Sequence, residues 1–372
     1  HRVDRRQRQM CIRDRWLSLY QSKSGERGLF NRQSAQIKAA QNGRRNADVE
    51  FGTNPCSEII LRPNQFCNLT EVVCRKGDTK TTLRNKIKLA TILGTIQSTL
   101  TNFGYLRKRW INNTEEERLL GVSLTGIMDC ELLNGTTEKL PNTLEYLRNV
   151  AVETNKEWAK KLGIPQSTAI TCVKPSGTVS QLVDSSSGIH ARHNPHYIRT
   201  VRADNKDPLT QLMISVGVPH EADHLNIDTT TVFSFPMKSP TKAICRNDLS
   251  AIEQLKLWKT YAEHWCEHKP SVTISVKEKE WVSVGAWCWD NFNYLSGVSF
   301  LPHTDHSYKQ APYQDVDQTE YNSLMKQMPK DIDWSKLSDI EKEDTTTGTQ
   351  ELSCTAGVCE LVDITSFKGE IA

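Results

Sequence analysis

Chemistry in this chain concentrates at a few cysteines and the polar residues beside them. In Asn54-Pro55-Cys56-Ser57-Glu58 a thiol and a carboxylate stand two residues apart, which on an extended segment places them on the same side. Gly52 and Pro55 suit a tight, fixed loop. One group there can do sulfur chemistry while the other takes or gives a proton, and Asn54 can donate and accept hydrogen bonds beside them. The same spacing also occurs in loops without reactivity. Cys67 follows in a second polar turn, Asn64-Gln65-Phe66-Cys67-Asn68.

Two further groupings could serve a reaction. Pro175-Ser176-Gly177-Thr178-Val179-Ser180 is a small-residue turn between an apolar run, Ala169 to Val173, and a helix. Outward-facing N–H groups and a helix N-terminus make such a turn a ready phosphate site, and the same pattern also serves as an ordinary helix cap. Cys354 and Cys359 lie beyond Ser338 to Gln350, a stretch with almost no apolar residue that reads as a flexible linker. One such pair leaves a structural zinc site two ligands short, so a mobile dithiol is the expectation. His190, His193 and His196 lack a nearby cysteine or acid to complete a ligand set, and no metal site is assigned. Cys130, Cys172, Cys245, Cys266 and Cys288 read as inert thiols in apolar or helical surroundings, and Trp281, Trp287 and Trp289 as packing residues.

The elements that must position these groups alternate. Leu89, Leu93, Ile96, Leu100 and Phe103 mark an amphipathic helix, and Gly121 to Met128 a buried strand or tight turn. Asn142 is placed as the N-cap of a helix carrying Leu144, Leu147, Ala151, Trp158 and Leu162, stopped by Gly163 and Pro165. Asp207-Pro208 opens another helix, Thr231 to Phe235 is a strand, and Ile252 to Trp265 is a helix. Ser271 to Val276 and Gly297 to Leu301 are strands, and helical order is expected around Tyr321 to Met328. Strands alternating with helices predict an α/β sheet or barrel.

Composition narrows the class. Of 372 residues, 37% are hydrophobic and 24% charged, the balance of a soluble globular chain. No apolar run approaches the roughly 18 residues of a membrane span, and no signal peptide is visible. The net charge of +3 owes its sign to the opening segment HRVDRRQRQMCIRDR, with six arginines and two aspartates. Without it the chain is nearly neutral, so the pI supports no nucleic-acid partner. Residues 1–15 have no periodicity and are read as an artefact or disordered leader. Eleven cysteines, odd in number and without framework spacing, fit a reducing cytoplasm better than a secreted disulfide scaffold.

NPCSEIILRPNQFCNLTEVVCR resembles the finger loop of ribonucleotide reductases, and most closely that of the monomeric adenosylcobalamin-dependent ribonucleoside-triphosphate reductases. The likeness continues through GERGLFNR, KPSGTVSQLVDSSSGIHARHNPHYIRTVR, GVSFLPHTDHSYKQAPYQ and the terminal cysteine pair. It implies about half of a ten-stranded α/β barrel with a finger loop over residues 16–313. A linker and redox-active cysteine tail would occupy 314–372. It further implies radical reduction of ribonucleotides in which Cys56 is the thiyl residue, Glu58 takes the 3′-hydroxyl proton, and Asn54 holds the substrate. Cys67 would be one of two reducing cysteines, Pro175 to Ser180 would grip the phosphates, and Cys354 and Cys359 would pass electrons from thioredoxin. Adenosylcobalamin is the implied cofactor, and the complete enzyme is expected to be a cytoplasmic monomer. The second reducing cysteine and the allosteric site of the family lie upstream of the matched region, so this chain alone is expected to be inactive. The alternatives are the large subunit of a two-component reductase, which relays its radical through a Tyr-Tyr pair absent here, and a non-catalytic fragment.

Overall fold

The computed structural model describes residues 14, 16–22, 28–303 and 309–341. These divide into two compact units. The first holds the described residues up to Arg192 together with Lys242–His303; the second holds His193–Thr241 and the described residues from Lys309 onward. Residues 1–13 and the pair Cys354 and Cys359 lie outside the described residues.

The first unit opens with strand β1 (Gly28–Phe30) and helix α1 (Arg32–Ala40), capped by the Asn31 side chain. A short hairpin follows, β2 (Gly52–Thr53) against β3 (Ile60–Leu61). Then come β4 (Asn68–Val73), α2 (Lys80–Gln97), α3 (Lys108–Glu117), β5 (Leu120–Thr125), α4 (Leu140–Leu162) and β6 (Thr171–Cys172). β4, β5 and β6 form a parallel sheet, with Asn68 opposite Leu120 and Val122 opposite Thr171. Parallel neighbours need long crossovers, and α2, α3 and α4 supply them. Helix α5 (Val179–Leu182) is a single turn.

The second unit contributes β7 (His196–Asp204), α6 (Pro208–Ser215), β8 (His220–Ala222) and β9 (Thr230–Lys238) before the chain returns to the first. There α7 (Ala251–His264), β10 (Val272–Val276), α8 (Trp281–Asp290) and β11 (Ser296–Pro302) follow. β10 and β11 are parallel, and β1 lies antiparallel on the far side of β11. A parallel bridge from Val173 to Pro270 joins the β6 end of one sheet to the β10 side of the other. The strand order across the unit is therefore β4-β5-β6-β10-β11-β1, mixed α/β with no closed barrel among the described residues. In the second unit β12 (Tyr313–Asp315) completes the order β12-β7-β9-β8, all antiparallel, and α9 (Gln318–Gln327) follows.

Burial explains most of these elements. All six residues of β5 are buried, as expected for a strand covered on both faces. Trp258 and Trp265 are fully buried, and their indole N–H groups donate to Pro270 and Cys172 carbonyls at 2.8 and 2.7 Å. This fixes the segment between α7 and β10 against β6 and satisfies both of these indole donors.

Two sequence expectations are corrected. α4 begins at Leu140 behind Lys139, so Asn142 lies inside the first turn rather than capping it; Pro141, whose missing N–H costs nothing there, sets the start instead. α2 exists, but its buried face is Leu83, Ile87, Thr91, Gly94 and Thr95. The apolar stripe Leu89, Leu93, Ile96 and Leu100 faces outward, 44–72% exposed, and with the edge strand β4 lines a groove of about 760 Å³. Gly94 lies on that packed face, where a Cβ would stand 3.4 Å from Thr70 and 3.5 Å from Leu120, ordinary contact distances. No helix among the described residues is long and apolar enough to cross a membrane.

Candidate active site

Cys56 sits at the end of the β2–β3 hairpin and is exposed. The segment is a turn and not an extended run. Ser57 N–H donates to the Asn54 carbonyl at 2.9 Å, and Ser57 adopts a left-handed φ of 65°. That turn sends the two neighbours of Ser57 to different surroundings, so Glu58 is buried to 1% exposure while Cys56 is not. The same-side arrangement expected of an extended segment does not form.

Burial pushes the Glu58 carboxyl above its ordinary range, an effect partly offset by the nearby Asn54 side chain and the Lys174 charge. Glu58 Oε2 has no hydrogen-bond partner. Asn54 Oδ1 accepts from Ile59 N–H at 3.0 Å, so Asn54 is a brace within the loop as well as a neighbour of Glu58.

Cys67 precedes β4 in a turn clamped by buried charge. Arg45 and Glu117 pair at 2.8 Å, Gln65 donates to Glu117 at 2.6 Å, and Arg62 N–H donates to Gln65 at 2.9 Å. Gln65 engages both members of the pair and the Arg45 guanidinium lies over the Phe51 ring, but Arg45 Nη1 has no hydrogen-bond partner, so the pair is only partly compensated. Cys67 is half-buried, and the desolvation of its sulfur pushes the thiol well above the usual range, opposed by Arg45 and helped by the Glu58 charge. Glu58 and Cys67 raise Cys172 in the same way, after burial. Glu58, Cys67 and Cys172 thus lie close enough to feel one another. Cys172, read from the sequence as a packing thiol, is buried and belongs to this neighbourhood.

The small-residue turn follows β6 directly. Lys174 N–H donates to Ser123 Oγ at 2.8 Å, fixing the start of the turn to β5, and Ser176 takes a left-handed φ of 53°. Ser180 Oγ donates to the Ser176 carbonyl and lies 2.8 Å from Ser187 Oγ. Ser176 Oγ is buried without a partner. The strand, turn and helix occur in the expected order, although α5 is only one turn long. Because Lys174 acts on Glu58, the turn begins at the same end of the sheet as the carboxylate.

No cluster of potential metal ligands occurs among the described residues. His190 bridges the Ser187 carbonyl and Thr273 N–H at 2.9 and 3.0 Å, and His193 Nε2 lies 2.7 Å from Asp315.

Sequence reasoning missed the residues that place the hairpin. His268 joins Ile60 N–H and the Leu120 carbonyl, and Lys269 N–H donates to the Glu58 carbonyl at 3.0 Å. Gly121 lies under the hairpin, where a Cβ would overlap Leu69 and come within 3.1 Å of Ile59. Gly297 lies against Ser57 in the same fashion. None of these carries a periodicity or motif; only the glycines, as interruptions of strand patterns, give any sign of close approach.

The fold is similar to that of a solved ribonucleotide reductase. A solved B12-dependent class II ribonucleotide reductase superposes with a TM-score of 0.73 over 89% of this chain and 50% of its own, at 24% identity. In sequence the chain is similar to a probable adenosylcobalamin-dependent ribonucleoside-triphosphate reductase of Dictyostelium discoideum, 29% identical over 325 residues. It is 26% identical over 345 residues to the adenosylcobalamin-dependent ribonucleoside-triphosphate reductase of Euglena gracilis. These alignments take in 84% and 90% of this chain but only 40% and 46% of the relatives' length. The resemblance read from the finger-loop residues is borne out. No family model matches the chain.

Proposed function

We propose that this chain is part of a radical ribonucleotide reductase and carries its finger hairpin and phosphate-gripping turn. The observation that carries the reading is a sequence likeness to adenosylcobalamin-dependent ribonucleoside-triphosphate reductases along most of the chain, combined with a hairpin that presents Cys56 and buries Glu58 beside Cys67. The substrate is a ribonucleotide, and a triphosphate if the relatives' names carry over.

Each residue's part follows from its surroundings. Cys56, exposed at the hairpin end, is reachable by a bulky radical source, which a buried thiol is not. That accessibility is what fits the chain to adenosylcobalamin, and Cys56 is the residue it would turn toward the cofactor. When bound, the cofactor supplies the means of homolysis that no acid–base side chain has. Glu58, held above its ordinary range by burial, is a stronger proton acceptor than a solvated carboxylate and takes the 3′-hydroxyl proton at its unpartnered Oε2. Asn54 orients substrate at the same loop. Cys67 supplies one reducing thiol, and its burial keeps it as the neutral thiol until substrate arrives. Pro175 to Ser180 hold the phosphates. Cys354 and Cys359 take electrons from thioredoxin.

The test uses a protein that includes the half of the relatives' length not spanned here. Cys56→Ser should abolish formation of deoxyribonucleotide while leaving nucleotide binding intact. Turnover surviving in that variant would sink the reading.

A further inference from the structure

We propose that His268 is the positioning residue of the candidate site: a neutral imidazole carrying its proton on Nε2, which locks the register of the Cys56 hairpin. The inference rests on the hairpin being the reacting site, but its test needs no turnover, so the two can fail separately.

The hairpin cannot hold itself. Its ladder has two residue pairs, Gly52 with Leu61 and Thr53 with Ile60, and a two-stranded ribbon of that length is marginal in water. Sliding it by one residue would turn every side chain to the opposite face. Something outside the ladder must fix it, and the strip Glu267–Lys269 makes the contacts that do so. On one side the strip is anchored in β6: Glu267 and His268 N–H groups both donate to the Thr171 carbonyl, at 3.1 and 2.9 Å. Val173 N–H donates in turn to the Lys269 carbonyl at 3.2 Å. On the other side three bonds reach out. Ile60 N–H donates to His268 Nδ1 at 3.3 Å, His268 Nε2 meets the Leu120 carbonyl at 3.0 Å, and Lys269 N–H donates to the Glu58 carbonyl at 3.0 Å.

The two ring partners fix the protonation. A backbone N–H facing Nδ1 requires a lone pair there, and a carbonyl facing Nε2 requires a proton there. A cationic ring would set Nδ1–H against Ile60 N–H, donor against donor, at a site with 0% exposure. Consistently, burial and the Arg45 charge push the ring down to about 3. Imidazole is rigid between its two nitrogens, so it fixes the spacing from the first residue of β5 to the first residue of β3. That spacing decides where Cys56 and Glu58 stand.

An ordinary buried histidine would also have both nitrogens satisfied, and the experiment separates the two cases. In the full chain, His268→Phe keeps the volume and loses both bonds; His268→Asn keeps an acceptor where Nδ1 stood; His268→Gln keeps a donor where Nε2 stood. Hydrogen exchange is read separately on peptides covering 52–61 and on peptides covering α4. Selective ¹⁵N-histidine labelling reads the tautomer. We expect the neutral Nε2–H form of His268 from pH 6 to 8. In the Phe variant the hairpin peptides should exchange about tenfold faster or more, as for loss of a buried hydrogen bond, with α4 unchanged. The Asn variant should recover most of that protection and Gln less. A proton found on Nδ1 overturns the proposal. So does a Phe variant whose hairpin is protected like the parent's, or loosened no more than α4. Should the Phe variant not fold, equal hairpin protection in the Asn and Gln variants overturns it, and greater protection in Asn supports it.

Discussion

Gly297→Ala should unseat the hairpin, and the size of the effect can be worked from the structure. Gly297 holds φ at 81°, a left-handed value that an alanine adopts at a cost of about 1–2 kcal/mol. A Cβ at this position would also stand 2.6 Å from the Ser57 carbonyl oxygen and 2.8 Å from Ser57 Cβ. Both neighbours are backbone or directly attached to it, so relief requires moving the hairpin, at about 1–3 kcal/mol for overpacking of this kind. The total is about 2–5 kcal/mol. Gly163→Ala is the control. It has a left-handed φ of 66° at the end of α4 but nothing within 4 Å of its Cβ, so only the backbone cost of about 1–2 kcal/mol applies. Urea unfolding followed by tryptophan fluorescence gives both losses, and the alkylation rate of Cys56 reports the hairpin directly. The reasoning is refuted if Gly297→Ala is no more destabilising than Gly163→Ala, or if it destabilises with Cys56 reacting as in the parent.

Other outcomes follow from the buried titratable groups. Glu58 has its proton affinity raised by folding, so its contribution to stability is complete at acid pH and is lost as pH rises through the raised value. Glu58→Gln should therefore gain stability relative to the parent between pH 4 and pH 8, measured by urea midpoints; a difference that does not vary with pH would refute the assignment. Lys269 runs the other way, pushed down to about 7 by burial while donating to Ser34 and the Tyr294 carbonyl. Its deficit is present below pH 7 and relieved as pH climbs toward 10.5, a change of up to about 5 kcal/mol, so Lys269→Met should flatten that rise in stability. With burial holding its thiol protonated, Cys67 should alkylate far more slowly than Cys56 at pH 8, read by peptide mass; comparable rates would show that the turn is open. In a full-length protein, changing Cys354 and Cys359 to Ser should suppress turnover with thioredoxin and spare it with a small dithiol, and equal loss with both would assign the pair a structural role.

What the sequence determined by itself was the order of elements and the set of candidate reactive groups. Short-range patterns carry that information: the alternation around Val272 and Val298, the Asp207-Pro208 helix start, the left-handed stop at Gly163, and a cysteine–carboxylate motif bound to a second cysteine at fixed spacing. What only the tertiary structure decided was which faces are buried and what holds the hairpin. The stripe Leu89, Leu93, Ile96 and Leu100 looks like a core face by its period, yet α2 turns it outward, because period reports amphipathicity and not the direction of the neighbour. Ser57 breaks the extended geometry that would have put Cys56 and Glu58 on one side, through a left-handed residue inside the tight loop that Gly52 and Pro55 suggest. His268 lies 208 residues from its partner Ile60 and 148 from Leu120. Contacts so distant along the chain leave no local periodicity, so the residue that fixes the site became visible only once the strands were side by side.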